Sequence, residues 1–279
     1  MSDPASAPST GPTLSALVVA HNEEEVLADC LERLAFADEI VVQLDRCTDR
    51  SKEIADRFTD RVLEGAWEMQ GDRRNAGIAF CRSDWILEVD ADEWITPTLA
   101  AEVRQVIASD TGDYFDLPVH NYVAGRHIRY GMASGGFGKE SWIGGLFRRG
   151  VKEWENKRVH PTATYAGVKG PMLANPVVHH IDRDISDMLD RLDRKTTGRA
   201  KDMVDRGEVG SFPDMVRKMF SRFYKCYVRR KAYKEGGYGF VIALCTALEP
   251  ILSHLKATLE EIPRRERERA ARETAAEGD

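Results

Sequence analysis

The chain has 279 residues, a length that suits one large domain or a domain with an appendage, because single cores stop growing near ~250–300 residues. Its apolar and aromatic content, 42% and 8%, is enough to offset chain entropy and excludes global disorder. A net charge of −6 disfavours a general nucleic-acid binder, which needs a basic surplus to neutralise phosphates.

The ends differ from the middle. Residues 1–13 are rich in Ser, Pro, Ala and Gly without apolar periodicity, and 261–279 are almost entirely charge and Ala, so both are predicted as tails outside the core. The N-terminus has neither a basic start nor an apolar signal-like core, and the apolar stretch Gly239–Leu248 is interrupted by Glu249-Pro250, short of the ~20 residues a bilayer needs. Five scattered cysteines (Cys30, Cys47, Cys81, Cys226, Cys245) without CxxC spacing read as free thiols in a reducing compartment. The expected location is therefore cytoplasmic.

In chain order, Leu14–Ala20 (LSALVVA) reads as a buried strand that stops at the polar turn His21-Asn22-Glu23. A helix follows over Glu24–Ala35, with Val26, Cys30, Leu31 and Leu34 on one face. Glu39–Leu44 is a second strand, Asp45–Arg50 a loop, Ser51–Phe58 a helix and Arg61–Leu63 a short strand. Gln70–Phe80 is a third helix, Trp85–Val89 a strand ending on Asp90, and Thr96–Ala108 a helix started by Pro97. Alternation of strands and helices predicts an α/β fold with a mostly parallel, Rossmann-like sheet, whose ligands bind beyond the carboxyl ends of the strands. That rule selects His21–Glu24, Asp45–Arg50 and Asp90–Glu93, all polar or acidic.

From about Tyr114 the pattern turns to short Gly- and aromatic-rich segments suited to antiparallel strands, where a second substrate is expected. Beyond His179-His180 the chain is predicted helical over Ile185–Arg206, Asp214–Lys234 and Tyr238–Glu260. The expected organisation is a nucleotide-sugar-binding half over 14–112, an acceptor-side half over 113–182 and a helical extension over 183–260.

Asp90 and Asp92 stand one residue apart at a strand end and point to one side, where a divalent cation with oxygen ligands would relieve their repulsion. The bland alternative is a solvated turn whose Glu93 caps the next helix. A phosphatase-type DxD would follow the first strand rather than the fourth, and the spacing of an EF-hand is absent.

These segments together resemble glycosyltransferase family 2, the inverting enzymes of GT-A fold. "ALVVAHNEEEVLADCL" resembles that family's first strand, Asn-Glu turn and helix; "EIVVQLDRCTDRS" its acidic loop; "GDRRNAGI" its Arg-Asn-x-Gly segment; "WILEVDADE" its DxD. Further along, "GLFRRG", "RVHP", "VVHHIDRDIS" and "RFYKCYVRRKAYKEGGYGF" are similar to the lipopolysaccharide-core β-glucosyltransferase branch. The likeness spans about Leu14–Glu260.

The resemblance implies roles residue by residue. Asn22 and Glu23 would contact the nucleotide, Asp45 the base, Arg74 (ahead of Arg73) the base or diphosphate, and Asp90 the ribose or a metal-bound water. Asp92 would bind Mg2+ or Mn2+ directly, with His179 or His180 completing the site, His179 the better match. Leu44 stands where relatives are often acidic, and Val159-His160-Pro161 stands where many members of the branch read Val-His-Glu. The base is therefore sought in Glu155, with Glu153 and Glu140 as further candidates, or in His160, whose ordinary pKa is near neutrality.

The implied reaction is inverting transfer from a nucleotide sugar, a UDP-sugar for preference, to a lipopolysaccharide-core or other envelope glycan or glycolipid. The segment 214–234 carries an apolar stripe and a basic flank, which suits either packing on the catalytic domain or contact with the inner face of the cytoplasmic membrane. Two rivals remain. A sugar-phosphate nucleotidyltransferase would need a Gly-rich basic first loop where this chain has His21-Asn22-Glu23-Glu24, and a noncatalytic module of the same fold is favoured only by Pro161.

Overall fold

The computed structural model describes residues 11–131, 141–158 and 161–267. The chain divides into two compact units, one of residues 1–120 and 142–179, the other of residues 121–141 and 180–279.

The first unit opens with β1 (Leu14–Ala20), α1 (Leu27–Glu32), β2 (Glu39–Asp45), α2 (Ser51–Ala55), β3 (Val62–Gly65), α3 (Gln70–Phe80), β4 (Trp85–Asp90), β5 (Glu93–Trp94) and α4 (Pro97–Ser109). β6 (Tyr114–Val123) follows, and after β7 (Arg126–His127) come β8 (Ser141–Arg148), β9 (Lys152–Trp154), β10 (Ala163–Tyr165) and β11 (Val177–Asp182). The sheet order is β3-β2-β1-β4-β8-β6-β11-β5, while β9 and β10 form a separate antiparallel ribbon. β1 pairs in parallel with β2 and β4, and β2 with β3. β8 pairs antiparallel with β4, and β11 antiparallel with β5, so the sheet is mixed. The change falls where short aromatic segments replace the strand-helix alternation.

Every residue of β1 is buried, which is why it reads as an unbroken apolar run rather than an alternating one. Its two faces enter different cores. Leu14, Ala16 and Val18 join Leu27, Leu31, Leu99 and Val103 of α1 and α4, whereas Leu17 and Val19 face Ile78 of α3. Each fully buried aliphatic side chain of this kind contributes about 1.5–3 kcal/mol on leaving water. Helix α4 starts as predicted: Thr96 caps it by accepting from the Leu99 amide at 3.2 Å, and Pro97 occupies its first turn. Glu93 is therefore not that helix's cap. Helices α1 and α2 are shorter than the periodicity suggested, and neither has a side-chain cap at its start.

In the second unit β7 pairs with the end of β6. Its helices are α5 (Ile185–Asp205), α6 (Phe212–Tyr224) and α7 (Gly236–Lys256). The single helix expected over Asp214–Lys234 is interrupted: α6 passes into a π-helical turn at Lys225–Arg229, and the chain reverses at Lys231, where φ is 58°. Gly239 explains the tight return, since a Cβ there would overlap the Ala232 carbonyl. The Glu249-Pro250 pair does not end the last helix. Pro250 lies inside α7, and Glu249 is drawn inward by Lys195 at 3.0 Å, Arg199 at 2.6 Å and Arg222 at 3.3 Å. The helical stretch Ala232–Arg267 is long enough to cross a membrane and contains an 18-residue window of mean hydropathy 1.4. Glu249 bound to three cations marks it instead as a packed helix of this unit.

Candidate active site

The parallel registers place three strand ends together, because Ala20 lies beside Leu44 and Val19 beside Asp90. The polar segments selected from sequence thus share one edge of the sheet.

Asn22 takes up the left-handed conformation, φ 57°, which Asn tolerates better than most residues. Its side-chain oxygen accepts from the Thr48 amide at 2.8 Å, tying the first loop to the second. The Glu23 amide donates to Ser51 Oγ at 3.0 Å and the Glu24 amide to Asp49 at 2.9 Å, so backbone and side chains of both loops brace each other. Asp45 is buried at the end of β2. Its carboxylate accepts from the Trp67 amide at 3.1 Å, from Arg46 at 2.9 Å and from Arg73 at 3.3 Å. Burial alone would raise its pKa, but these donors hold it below the ordinary carboxylate range.

Arg73 and Arg74 leave α3 toward different carboxylates. Arg74 Nη2 donates to both oxygens of Asp90, at 2.9 and 3.1 Å, while its Nη1 is bound to Glu88. Arg74, expected at the base or diphosphate, holds the Asp90 carboxylate. Glu88, inside β4, is buried. Lys152 of β9 donates to it at 2.7 Å and Trp154 Nε1 at 3.2 Å. Burial would raise the Glu88 pKa, yet Lys152 and Arg74 bring it down to about 2, so it stays ionised. Asn75 adds a reciprocal pair with the Trp154 backbone, both bonds 2.9 Å, and Gly71 lets α3 touch the Glu155 carbonyl. Glu88, Lys152 and Trp154 were not anticipated from sequence. The available signal was Glu88, a charged residue within the otherwise apolar run Trp85–Val89.

Asp92 faces His179. The Nε2 to Oδ2 distance is 3.2 Å, and β11 carries His179 directly opposite Glu93 of β5. Strand alternation separates the two histidines: His180 turns to the other face, where its ring lies 5.6 Å from that of Tyr122. Desolvation would lower the His179 pKa, but the Asp92 hydrogen bond and charge outweigh it and raise it to about 9. Glu93 is buried, and that desolvation together with the Asp90 charge pushes it up to about 8, while its carboxyl accepts from the Asp90 amide at 3.0 Å and closes the turn.

Among the described residues no three His, Cys, Asp or Glu side chains stand close enough to hold an ion by themselves. Asp92 and His179 nevertheless fit a shared cation, because two ligands at about 2.1 Å and at right angles lie about 3.0 Å apart. Of the base candidates, Glu155 is exposed and bound to Lys157 at 2.6 Å; that hydrogen bond lowers its pKa and makes it a weaker proton acceptor. Glu153 is also exposed, and Glu140 and His160 lie outside the described residues.

A family model described as Glycosyl transferase family 2 matches residues 15–173, more than half of the chain. The chain belongs to glycosyl transferase family 2. Within that family it is a transferase that uses a nucleotide-sugar donor, and its mixed sheet with flanking helices is a GT-A-like fold followed by a helical C-terminal region. Relatives carry the family likeness through the helical region. A Rickettsia felis protein described as an uncharacterized glycosyltransferase is 23% identical over 247 residues, 86% of this chain and 87% of that protein. The lipopolysaccharide core biosynthesis glycosyltransferase LpsC of Rhizobium meliloti is 23% identical over 251 residues, 87% of this chain and 91% of LpsC. Among solved structures, S. aureus TarS is similar at 12% identity with a TM-score of 0.44, over 81% of this chain and 46% of TarS.

Proposed function

We propose that the chain transfers a sugar from a UDP-sugar, with inversion, to a lipopolysaccharide-core or other cell-envelope glycan at the inner face of the cytoplasmic membrane. The observation that carries the reading is the edge formed by Asn22, Asp45, Asp90 and Asp92, with His179 3.2 Å from Asp92. Asn22 and Glu23 line the nucleotide, Asp45 accepts from the base, and Asp90, fixed by Arg74, accepts from the ribose. The core-biosynthesis name of LpsC supports the class of acceptor.

Asp92 and His179 would hold Mg2+ or Mn2+, water and donor oxygens filling the remaining positions. Such a cation would neutralise charge on the leaving diphosphate. His180, turned toward Tyr122, is the weaker choice of ligand. The acceptor hydroxyl gives its proton to a base from the later half of the first unit, for which Glu155 and His160 are the candidates. The test is a panel of UDP-sugars assayed for hydrolysis with and without Mn2+. The reading predicts metal-dependent turnover of one sugar that Asp92→Ala abolishes; metal-dependent turnover unchanged in that variant contradicts it.

A further inference from the structure

One surface of the second unit exposes a run of large apolar side chains. Phe220, Tyr224 and Val228 follow one another at about one helical turn on α6 and its π-helical continuation, and all three are exposed, Phe220 to 66%. Phe240 and Leu244 of α7 are exposed one turn apart as well. The two stripes are one surface, because the Phe240 ring packs edge-on against Phe223 at 5.9 Å and Tyr227 at 5.8 Å. Tyr233 extends it, edge-on to Tyr227 at 6.2 Å. A helix face of this kind normally turns inward, and leaving it in water forgoes the burial that its large rings would otherwise gain.

Charge accompanies the aromatic rings. Between Met215 and Lys234 there are eight Lys and Arg and no Asp or Glu, in a chain whose net charge is −6. Arg222 is turned inward to Glu249, whereas Arg217, Lys218, Lys225, Arg229, Lys231 and Lys234 are exposed around the patch. Exposed rings ringed by cations suit a surface that is apolar within and anionic at its boundary, which describes a bilayer containing acidic phospholipid. A second copy of the chain fits less well. A twofold interface would bring the same cations face to face.

We infer that the face formed by α6, its π-helical continuation and the start of α7 is a docking surface for anionic phospholipid bilayer, with Phe220, Tyr224 and Phe240 entering the interface and the surrounding lysines and arginines facing headgroups. The membrane placement in the proposed function rests on this surface, whereas the donor chemistry does not. α7 lies along the bilayer rather than across it, since Glu249 stays in its ion pairs.

The experiment is flotation of the full chain with vesicles of phosphatidylcholine alone and with vesicles of phosphatidylcholine and phosphatidylglycerol in about equal parts, with no sugar donor present. Binding is expected only to the anionic vesicles, and raised salt should weaken it. Each exposed cation near such a surface is worth a factor of about five, so Lys218→Glu with Lys225→Glu should weaken binding at least about tenfold. Phe220→Ser with Phe240→Ser should weaken it through lost insertion, by a comparable factor. Equal binding to both vesicles, no binding, or binding unchanged in both variants would overturn the inference. So would sedimentation showing a dimer that the phenylalanine variant dissociates. UDP-sugar hydrolysis in vesicle-free solution, assayed on the same variants, keeps a failure here separate from a failure of the donor site.

Discussion

Arg74 and Asp90 form a two-oxygen contact through a single guanidinium nitrogen, at 2.9 and 3.1 Å, while the other terminal nitrogen of Arg74 is anchored on Glu88. Asp90, partly exposed at the sheet edge, is thereby coupled to a charge cluster closed off from water. The geometry of the site edge therefore depends on Glu88 and Lys152, which lie buried behind it.

Lys152 is the far anchor of that cluster, 2.7 Å from Glu88 and 2.9 Å from the Gly144 carbonyl. Removing one member of a buried ion pair leaves a charge without compensation and costs about 3–5 kcal/mol. Lys152→Met should therefore lower stability by about that much in urea denaturation. A loss of only a few tenths of a kcal/mol, the size typical of surface changes, would contradict the role assigned to Lys152.

Glu88 also predicts a pH dependence. Its ordinary pKa of 4.5 falls to about 2 in the fold, so the unfolded chain takes up its proton first. The stabilisation is complete above pH 4.5 and is lost as pH falls toward 2. Denaturation midpoints measured across that interval should fall steeply, and less steeply in Glu88→Gln. Parallel curves for the two proteins would contradict the assignment.

Gly71 allows α3 to lie against the ribbon strand β9. Alanine is the better helix former by up to about 1 kcal/mol, but its Cβ would overlap the Glu155 carbonyl, a backbone atom that cannot rotate away. Overpacking at such a point costs about 1–3 kcal/mol, so Gly71→Ala should destabilise. Thermal denaturation decides the sign.

His179 carries a proton below about pH 9 because Asp92 stabilises its charged form. A metal ion needs the neutral imidazole, so binding must displace that proton. Mn2+ affinity should rise about tenfold per pH unit between pH 6 and 8, and His179→Asn should bind more weakly with a flatter profile. A wild-type affinity independent of pH would exclude His179 as a ligand.

Much of the first unit was legible in the sequence because β1, β2 and β4 are buried strands that end abruptly on Asn22, Asp45 and Asp90. Loop polarity at a strand end is a local property, and the parallel register then brings those ends together without further information. The Glu88 cluster was not legible, since Lys152 comes from a strand 64 residues later and no spacing rule links them. In sequence His179 was only the better match of an adjacent pair, and strand alternation separates the two by sending one to Asp92 and the other to Tyr122. The basic segment read as one helix because its apolar spacing continues through Val228, whereas the reversal at Lys231 follows from Gly239 accommodating Ala232.

The central claim is that Asp92 and a divalent cation together hold the donor's diphosphate, and calorimetric titration of UDP in the presence and absence of Mn2+ tests it most directly. The account predicts that Mn2+ tightens UDP binding by at least about tenfold, a coupling of about 1.4 kcal/mol, and that Asp92→Asn removes the gain. Equal UDP affinity with and without Mn2+, or a gain that survives in Asp92→Asn, would contradict it.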